Sequence, residues 1–289
     1  MSANDGSGKA VVAFGDPSHE LHDGSRWMLT IQAVPGGGAY DIDNVTAQKE
    51  VFAVRSDGSQ SIQLTNGGLD VEPYDTGLDS NPTQWALDGE VADGKISYTA
   101  RLWDNGVLIT SAIVTVPVFF DPTTEVPIEA PQTPDIVVVH PSTTPPLWHD
   151  WSPDGAEVVF EEGAELYITN TVANSTTLLL GDDSRPGGAP SWASDGSLIV
   201  FHSPDGIETI TPSGANRRLV IADWANRKHS TSYRYPHWSP DSQFIVYRSH
   251  EWNSNRGSTI DVYRADRNGN NATNLTTDID LAPGPMAWR

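Results

Sequence analysis

The sequence predicts an all-β protein that folds as a single β-propeller of five or six four-stranded blades. The main observation is a repeated motif, a Trp, a short Asp-containing turn and then an apolar strand, which begins at Trp151, Trp192 and Trp238. These tryptophans are 41 and 46 residues apart (192 − 151 and 238 − 192), a spacing typical of propeller blades. In each copy two further strand-like segments follow the apolar strand, which completes a blade.

The length and composition fit one large β domain over residues 1–289. The chain has 289 residues and 37% hydrophobic residues, enough to bury a sizeable core. Residues 1–8 are polar and are predicted to be a flexible leader. No signal peptide and no membrane-spanning segment is recognised in the given chain, so direct membrane insertion is not expected.

The first half of the chain contains weaker copies of the repeat. A hairpin is expected around Asp57, because an Asp-Gly pair supplies the positive φ of a tight turn. A second unit begins at Trp85 and contains the Pro-rich segment 121–134, which is predicted to be an insertion rather than a ladder strand. Strands are predicted over 9–14, 26–34, 50–55, 61–65, 95–103, 107–120 and 136–139.

The last copy of the motif is incomplete, because the chain stops at residues 285–289, around Trp288. A lone innermost strand cannot bury itself, and the N-terminal strands lack a tryptophan strand of their own. We therefore expect the ring to close by pairing of the N- and C-terminal strands, which would also cover exposed sheet edges. A truncated chain is the alternative explanation of the incomplete copy.

The motif resembles a known repeat. Trp-Ser-Pro-Asp-Gly at 151–155, followed by the apolar strand 156–160, resembles the WD40-like repeat of TolB-type β-propellers. The resemblance is clear over 148–288 and moderate over 50–66. The resemblance implies one of three activities: periplasmic scaffolds, propeller domains of prolyl-oligopeptidase-like peptidases, or oligogalacturonate lyases. The chain has no Gly-x-Ser-x-Gly nucleophile motif, which excludes the peptidase activity for this chain.

The charge distribution limits the partners. The net charge of −21, from 17 basic and 38 acidic residues, argues against nucleic acid and against anionic membrane surfaces. Residues 102–184 contain 13 acids and no Lys or Arg, whereas residues 217–267 contain nine basic residues and five acids. The absence of cysteine excludes disulfides and a thiol nucleophile.

A ligand-binding face is predicted where the long connections gather, including 222–236 and 249–258. Loops on a rigid scaffold are the usual place for binding residues, and these two are basic and aromatic. An anionic group would find a favourable sector there. The predicted ligand-binding residues are Trp224, Arg227, Lys228, Tyr233, Arg234, Tyr235, Trp252 and Arg256.

Histidines near the ends of the innermost strands are the candidate metal ligands. The resemblance to the lyases implies channel histidines that bind a divalent metal, and His149 and His237 are the best placed, with His140, His202 or His250 as further candidates. A purely structural role for these histidines is the alternative. The repeated turn aspartates Asp154, Asp195 and Asp241 are expected to cap backbone amides, and the repeat tryptophans to form the core between blades.

Two functions follow from the sequence. The first is a non-enzymatic binding or scaffold propeller of the bacterial cell envelope, periplasmic or extracellular, which binds a protein, a peptide or an anionic ligand and needs no cofactor. The second is a metal-dependent carbohydrate-active enzyme, similar to oligogalacturonate lyase, whose partner is an anionic oligosaccharide.

Overall fold

The computed structural model describes thirteen segments of the chain. They are 27–33, 49–55, 59–63, 84–86, 95–104, 107–117, 137–142, 147–163, 165–181, 188–225, 229–239, 241–254 and 257–276. The described residues form β-strands and turns, and none of them forms a helix long and apolar enough to cross a membrane. The chain divides into two compact units, residues 1–146 with residue 289, and residues 147–288.

The described residues of the first unit form two antiparallel sheets in which sequence neighbours pair. The first sheet has the order β1-β2-β3 and the second β4-β5-β6-β7. Ala112 and Ile113 of β6 are buried. The strands are β1 (Trp27–Ala33), β2 (Lys49–Arg55), β3 (Ser61–Gln63), β4 (Gln84–Ala86), β5 (Lys95–Asp104), β6 (Val107–Pro117) and β7 (Val137–Ser142).

These strands confirm the hairpin predicted around Asp57 and the four-stranded unit that begins at Trp85. The predicted strand 9–14, the leader 1–8, the insertion 121–134 and the closing strand 285–289 lie outside the described residues. Blade number, ring closure and the single-domain assignment therefore stay predictions.

The second unit contains three antiparallel sheets, each with its strands in sequence order. Sheet I comprises β8 (Leu147–Trp151), β9 (Glu157–Glu162), β10 (Glu165–Asn170) and β11 (Ser175–Leu180). Sheet II comprises β12 (Gly188–Trp192), β13 (Ile199–Ser203), β14 (Gly206–Ile210) and β15 (Arg218–Ala222). Sheet III has five strands, β16 (Trp224–Ala225), β17 (His229–Trp238), β18 (Phe244–Asn253), β19 (Gly257–Asp266) and β20 (Thr273–Asn274).

The repeated turn connects the first two strands of each complete repeat. Ser152 Oγ donates to Asp154 Oδ1 at 2.6 Å, and Asp154 Oδ1 also accepts from the backbone N–H of Ala156 at 3.1 Å. Gly155 has a φ of 69°, which a residue without Cβ adopts at little cost. Asp195 and Asp241 accept the corresponding backbone N–H groups, so the prediction that these aspartates cap amides is confirmed.

The repeat tryptophans of sheets II and III fill the spaces between sheets, as predicted. Trp192 packs with Val159 and Leu166 of sheet I, and Trp238 packs with Val200 and Ile207 of sheet II. Burial of an aromatic side chain at the same register position in successive repeats fixes how neighbouring sheets stack.

Sheet III is longer than its neighbours, which corrects the prediction of loops over 222–236 and 249–258. Residues 229–236 belong to β17 and residues 249–253 to β18, and these segments pair residue by residue, as in Ser232 with His250. The segments are rich in Ser, Thr, His and Tyr, without an apolar run. Such a composition is typical of loops. Its β-branched and aromatic residues nevertheless favour a strand when a neighbouring strand is available to pair with.

Candidate functional site

The tryptophan-bearing strands of the second unit, β8, β12 and β17, each carry an irregularity. The pairing register shifts in all three, and at the shift lie Trp148, Ala189 and Tyr235, with φ values of 39°, 47° and 54°. Each of these residues stands three positions before the repeat tryptophan of its sheet. Left-handed residues at bulges redirect side chains, and such sites are frequent near functional centres.

The neighbouring strands β9, β13 and β18 place a polar side chain next to each bulge. These residues stand ten positions after the repeat tryptophan, and each pairs with the residue just before the bulge. They differ in charge: a carboxylate in sheet I, an imidazole in sheet II and a guanidinium in sheet III. The pairs are Glu161 with Leu147, His202 with Gly188, and Arg248 with Arg234.

Tyr235 is the centre of the contacts between these groups. Its ring lies 5.0 Å from the Trp148 ring and 5.7 Å from the His202 ring, measured between centroids. The Cζ atom of Arg248 lies 4.6 Å from the Tyr235 centroid, in cation–π geometry. Because sheet II has the small Ala189 at the equivalent bulge, aromatic rings from sheets I and III can meet. We call Trp148, Glu161, His202, Tyr235 and Arg248 the bulge cluster.

Gly188 allows the carboxylate and the imidazole to approach the backbone of β12. A Cβ atom at this position would lie 2.7 Å from Glu161 Oε2 and 2.8 Å from His202 Cε1. The next backbone N–H, of Ala189, donates to Glu161 Oε2 at 3.1 Å. The absence of a side chain at residue 188 is therefore a steric requirement of the cluster.

Two arginines lie side by side at the cluster, but only one of them is neutralised. Arg234 Nη1 lies 3.0 Å from Asp223 Oδ2 and donates to the Tyr233 carbonyl at 2.7 Å. Arg248 forms no ion pair with a described carboxylate, and its Nε is buried without a hydrogen-bond partner. Burial lowers the pKa of the Arg248 guanidinium; Tyr235 opposes this shift and Arg234 adds to it.

The imidazole of His202 is held neutral. Burial, together with the nearby guanidinium groups of Arg234 and Arg248, lowers the pKa of His202 to about 3. Its Nδ1 is buried without a hydrogen-bond partner. At neutral pH the ring therefore offers one N–H donor and one acceptor beside a charged arginine.

Only two of the predicted ligand-binding residues lie at the bulge cluster in the described part of the chain. Arg234 and Tyr235 reach the bulge cluster, whereas Tyr233 packs edge-on against Tyr247, 5.3 Å between centroids, at the core of sheets II and III. Trp224 and Trp252 are 50% and 45% exposed. Arg227, Lys228 and Arg256 lie outside the described residues.

Trp224 and Trp252 lie on opposite faces of sheet III. Trp224 pairs with Thr231, and Trp252 pairs with the adjacent residue Ser230. Because successive side chains of a strand point to opposite faces, the two indoles cannot form one binding surface.

The candidate metal ligands His149 and His237 lie on β8 and β17. His149 is 1% exposed, and burial lowers its pKa to about 4 against the opposing effect of Asp150. His237 is half-buried, with Nδ1 2.9 Å from the Trp238 carbonyl oxygen. The described residues contain no group of three or more His, Asp or Glu side chains able to hold a metal ion.

Sequence reasoning missed Arg248, Glu161 and Trp148, and named His202 only as a secondary metal candidate. Alignment of the repeats on their tryptophans would have exposed the pattern, since the positions three before and ten after each tryptophan hold the cluster residues. The bulges themselves carry no recognisable sequence signature.

Comparison with solved structures identifies the fold. A protein assigned as TolB from Agrobacterium tumefaciens is 17% identical, with a TM-score of 0.59, over 92% of this chain and 79% of its own. An oligogalacturonate lyase in complex with manganese is 18% identical, with a TM-score of 0.52, over 96% of this chain and 72% of its own. The GH74 enzyme of Niastella koreensis is 10% identical, with a TM-score of 0.52, over 86% of this chain and 36% of its own.

TolB and oligogalacturonate lyase are both β-propellers, so the chain shares a propeller type of fold. At these identities the likeness shows the fold alone. No protein-family model matches the chain, and no curated protein matches it.

Proposed function

We propose that the protein is a non-enzymatic binding propeller that engages an acidic peptide or protein segment at the bulge cluster. The observation that carries the proposal is the half-buried guanidinium of Arg248, which has no carboxylate partner among the described residues of a chain with a net charge of −21. The resemblance to TolB-type repeats supports a place in the bacterial cell envelope, periplasmic or extracellular.

Arg248 carries a positive charge that no described carboxylate compensates. A partly desolvated cation without an ionic partner costs free energy, which an anionic ligand would recover. Arg248 is held against the Tyr235 ring, so less conformational freedom is lost when it binds. The Trp148 and Tyr235 rings add apolar surface for the ligand's backbone or side chains.

Titration calorimetry with a short Glu-rich peptide, acetylated and amidated at its ends, tests the proposal. R248Q should weaken binding by about 1.5–3 kcal/mol, the range for hydrogen bonds to charged groups. The matched control is R264Q, because Arg264 also stacks on a ring, that of Phe244, at 4.7 Å, without belonging to the cluster. Equal affinity of R248Q and the unmodified protein would contradict the proposal.

The alternative is a metal-dependent carbohydrate-active enzyme that acts on an anionic oligosaccharide. The fold match to an oligogalacturonate lyase with manganese favours it, and a uronate would also suit Arg248. The described histidines do not supply a metal group, so the metal would need ligands from other parts of the chain. Metal analysis of the purified protein, combined with an assay for oligogalacturonate cleavage, separates the two functions.

A further inference from the structure

Two buried nitrogen atoms of the bulge cluster have no hydrogen-bond partner, His202 Nδ1 and Arg248 Nε. Both side chains contact the same ring, since His202 lies at the edge of Tyr235 and Arg248 over its face. A buried polar group without a partner costs roughly 1–3 kcal/mol, and more when it is charged. Two such groups on one ring call for a shared ligand.

Among the described residues, Trp192 Nε1, Trp238 Nε1, Ser249 Oγ and His149 Nδ1 are also buried, and all four belong to neutral side chains. Trp192 Nε1 and Trp238 Nε1 are neutral donors of side chains that form the cores between sheets. The Arg248 Nε belongs to a charged group, and it lies in a strand next to a bulge rather than in an intersheet core. The cluster therefore differs from ordinary packing defects.

We propose that His202 and Arg248 bind a single carboxylate group of the ligand, with one oxygen accepting from His202 Nδ1–H and the other from the Arg248 guanidinium. This inference rests on the proposed function and names the group that the site recognises. It requires the neutral imidazole to carry its proton on Nδ1. A carboxylate can accept hydrogen bonds from two donors at once, one at each oxygen.

The surrounding charges favour a monoanion over phosphate. Glu161 Oε2 lies on the Gly188 side of the cluster, where it approaches the same point as His202 Cε1. Arg234 is already paired with Asp223, so Arg248 supplies one uncompensated positive charge. A dianionic phosphate would double both the attraction to Arg248 and the repulsion from Glu161, and it would lose more hydration on entering a half-buried site than a monoanionic carboxylate does.

The carboxylate can come from an Asp or Glu side chain or from the free C-terminus of a chain. Both sources present the same group, and peptide pairs separate them. In the first pair both peptides have blocked ends, and one has Glu where the other has Gln, so the pair tests the side-chain carboxylate. In the second pair both peptides have Gln in the interior, and one ends in a free carboxylate where the other ends in an amide, so the pair tests the C-terminus.

The experiment combines calorimetry with ¹⁵N NMR of the histidine rings at neutral pH, using acetate, inorganic phosphate and the two peptide pairs. Acetate should shift the Nδ1 resonance of His202, and phosphate should bind more weakly than acetate. H202F and R248Q should each weaken the carboxylate-bearing peptides by about ten- to a hundredfold. R264Q should bind as the unmodified protein does.

H202N provides a second variant that keeps the result interpretable if H202F does not fold. The amide nitrogen of asparagine can take the place of Nδ1, so H202N should retain more affinity than H202F. The inference is overturned if acetate leaves the Nδ1 resonance unchanged, if phosphate binds more tightly than acetate, or if H202F and H202N bind like the unmodified protein. If peptide binding still depends on Arg248 in that case, the proposed function stands without the carboxylate site; if no acidic peptide binds, both fail.

Discussion

The carboxylate of Asp150 links two neighbouring sheets of the second unit through the backbone of Trp192. Its Oδ2 accepts the N–H of Trp192 at 2.7 Å, and its Oδ1 accepts the N–H of Trp151 at 2.9 Å. The side chain is buried, with 3% of the residue exposed. One buried acid therefore sets the position of a repeat tryptophan in the next sheet, and that tryptophan in turn sets the register of the core.

D150A should lower the free energy of unfolding by about 2–4 kcal/mol, because two buried N–H groups lose a charged acceptor. The matched control is S191A, the equivalent position in sheet II, where the Ser191 hydroxyl accepts the Trp238 N–H at a longer 3.4 Å. We expect S191A to cost clearly less. Urea denaturation followed by tryptophan fluorescence measures both, and equal costs would show that the carboxylate has no special role.

G188A should disrupt the bulge cluster without changing any charged group. The added methyl would meet Glu161 Oε2 and His202 Cε1 at less than 3.0 Å, so both side chains must move. Overpacking of this kind costs about 1–3 kcal/mol. Thermal denaturation should show the loss, and affinity for the Glu-rich peptide should fall with it. A variant with unchanged melting temperature and affinity would show that the close approach at residue 188 is unimportant.

The turn-and-strand pattern of the second unit could be predicted from sequence because its causes are local. A serine and an aspartate two residues apart, as Ser152 and Asp154, fold their own turn, and an apolar strand after it needs only a neighbour to pair with. The tryptophan core was predictable for the same reason, since a large ring at a fixed register position must be buried.

The candidate site depends on contacts that no local pattern encodes. The neutralisation of Arg234 by Asp223 joins residues eleven positions apart across a strand boundary, and it turns a predicted anion-binding residue into an internal ion pair. Arg248 was missed because its strand continues past the apolar core into a polar segment, and the sequence offers no apolar run to mark that continuation.

Acid should destabilise the second unit through its buried histidines. The pKa values of His149 and His202 are lowered to about 4 and about 3, from 6.5. Between the folded and unfolded pKa values, such a group binds its proton only in the unfolded state. The two histidines therefore do not lower the free energy of unfolding above about pH 6.5, and they lower it increasingly as the pH drops toward 4. Each histidine should contribute about 1.4 kcal/mol per pH unit in that range.

The measurement is the free energy of unfolding between pH 7 and pH 4 for the unmodified protein and for H202N. Carboxylates also titrate in acid, but they are common to both proteins, so the difference isolates His202. H202N should show a shallower loss of stability below about pH 6.5. Parallel pH profiles would mean that the His202 imidazole is accessible to protons in the folded protein.

D223N should strengthen binding of the Glu-rich peptide, because it removes a negative charge next to Arg234. Asp223 neutralises Arg234, and its loss would leave two uncompensated guanidinium groups beside Tyr235. Asparagine retains Oδ1 as the acceptor for the Tyr233 N–H, so the strand pairing is preserved. We expect affinity to rise about three- to tenfold at low salt, and the gain to shrink near 1 M salt because salt screens the partly exposed guanidinium groups.

The control for D223N is D195N, which frees Arg267 at the opposite, turn-bearing end of the strands, where the pair distance is 3.2 Å. It changes the net charge by the same amount without adding a cation to the bulge cluster. If D195N and D223N raise peptide affinity equally, the effect comes from overall charge and not from Arg234. A weaker or unchanged affinity of D223N would mean that the ligand does not approach the two arginines, and the binding site would have to lie elsewhere on the chain.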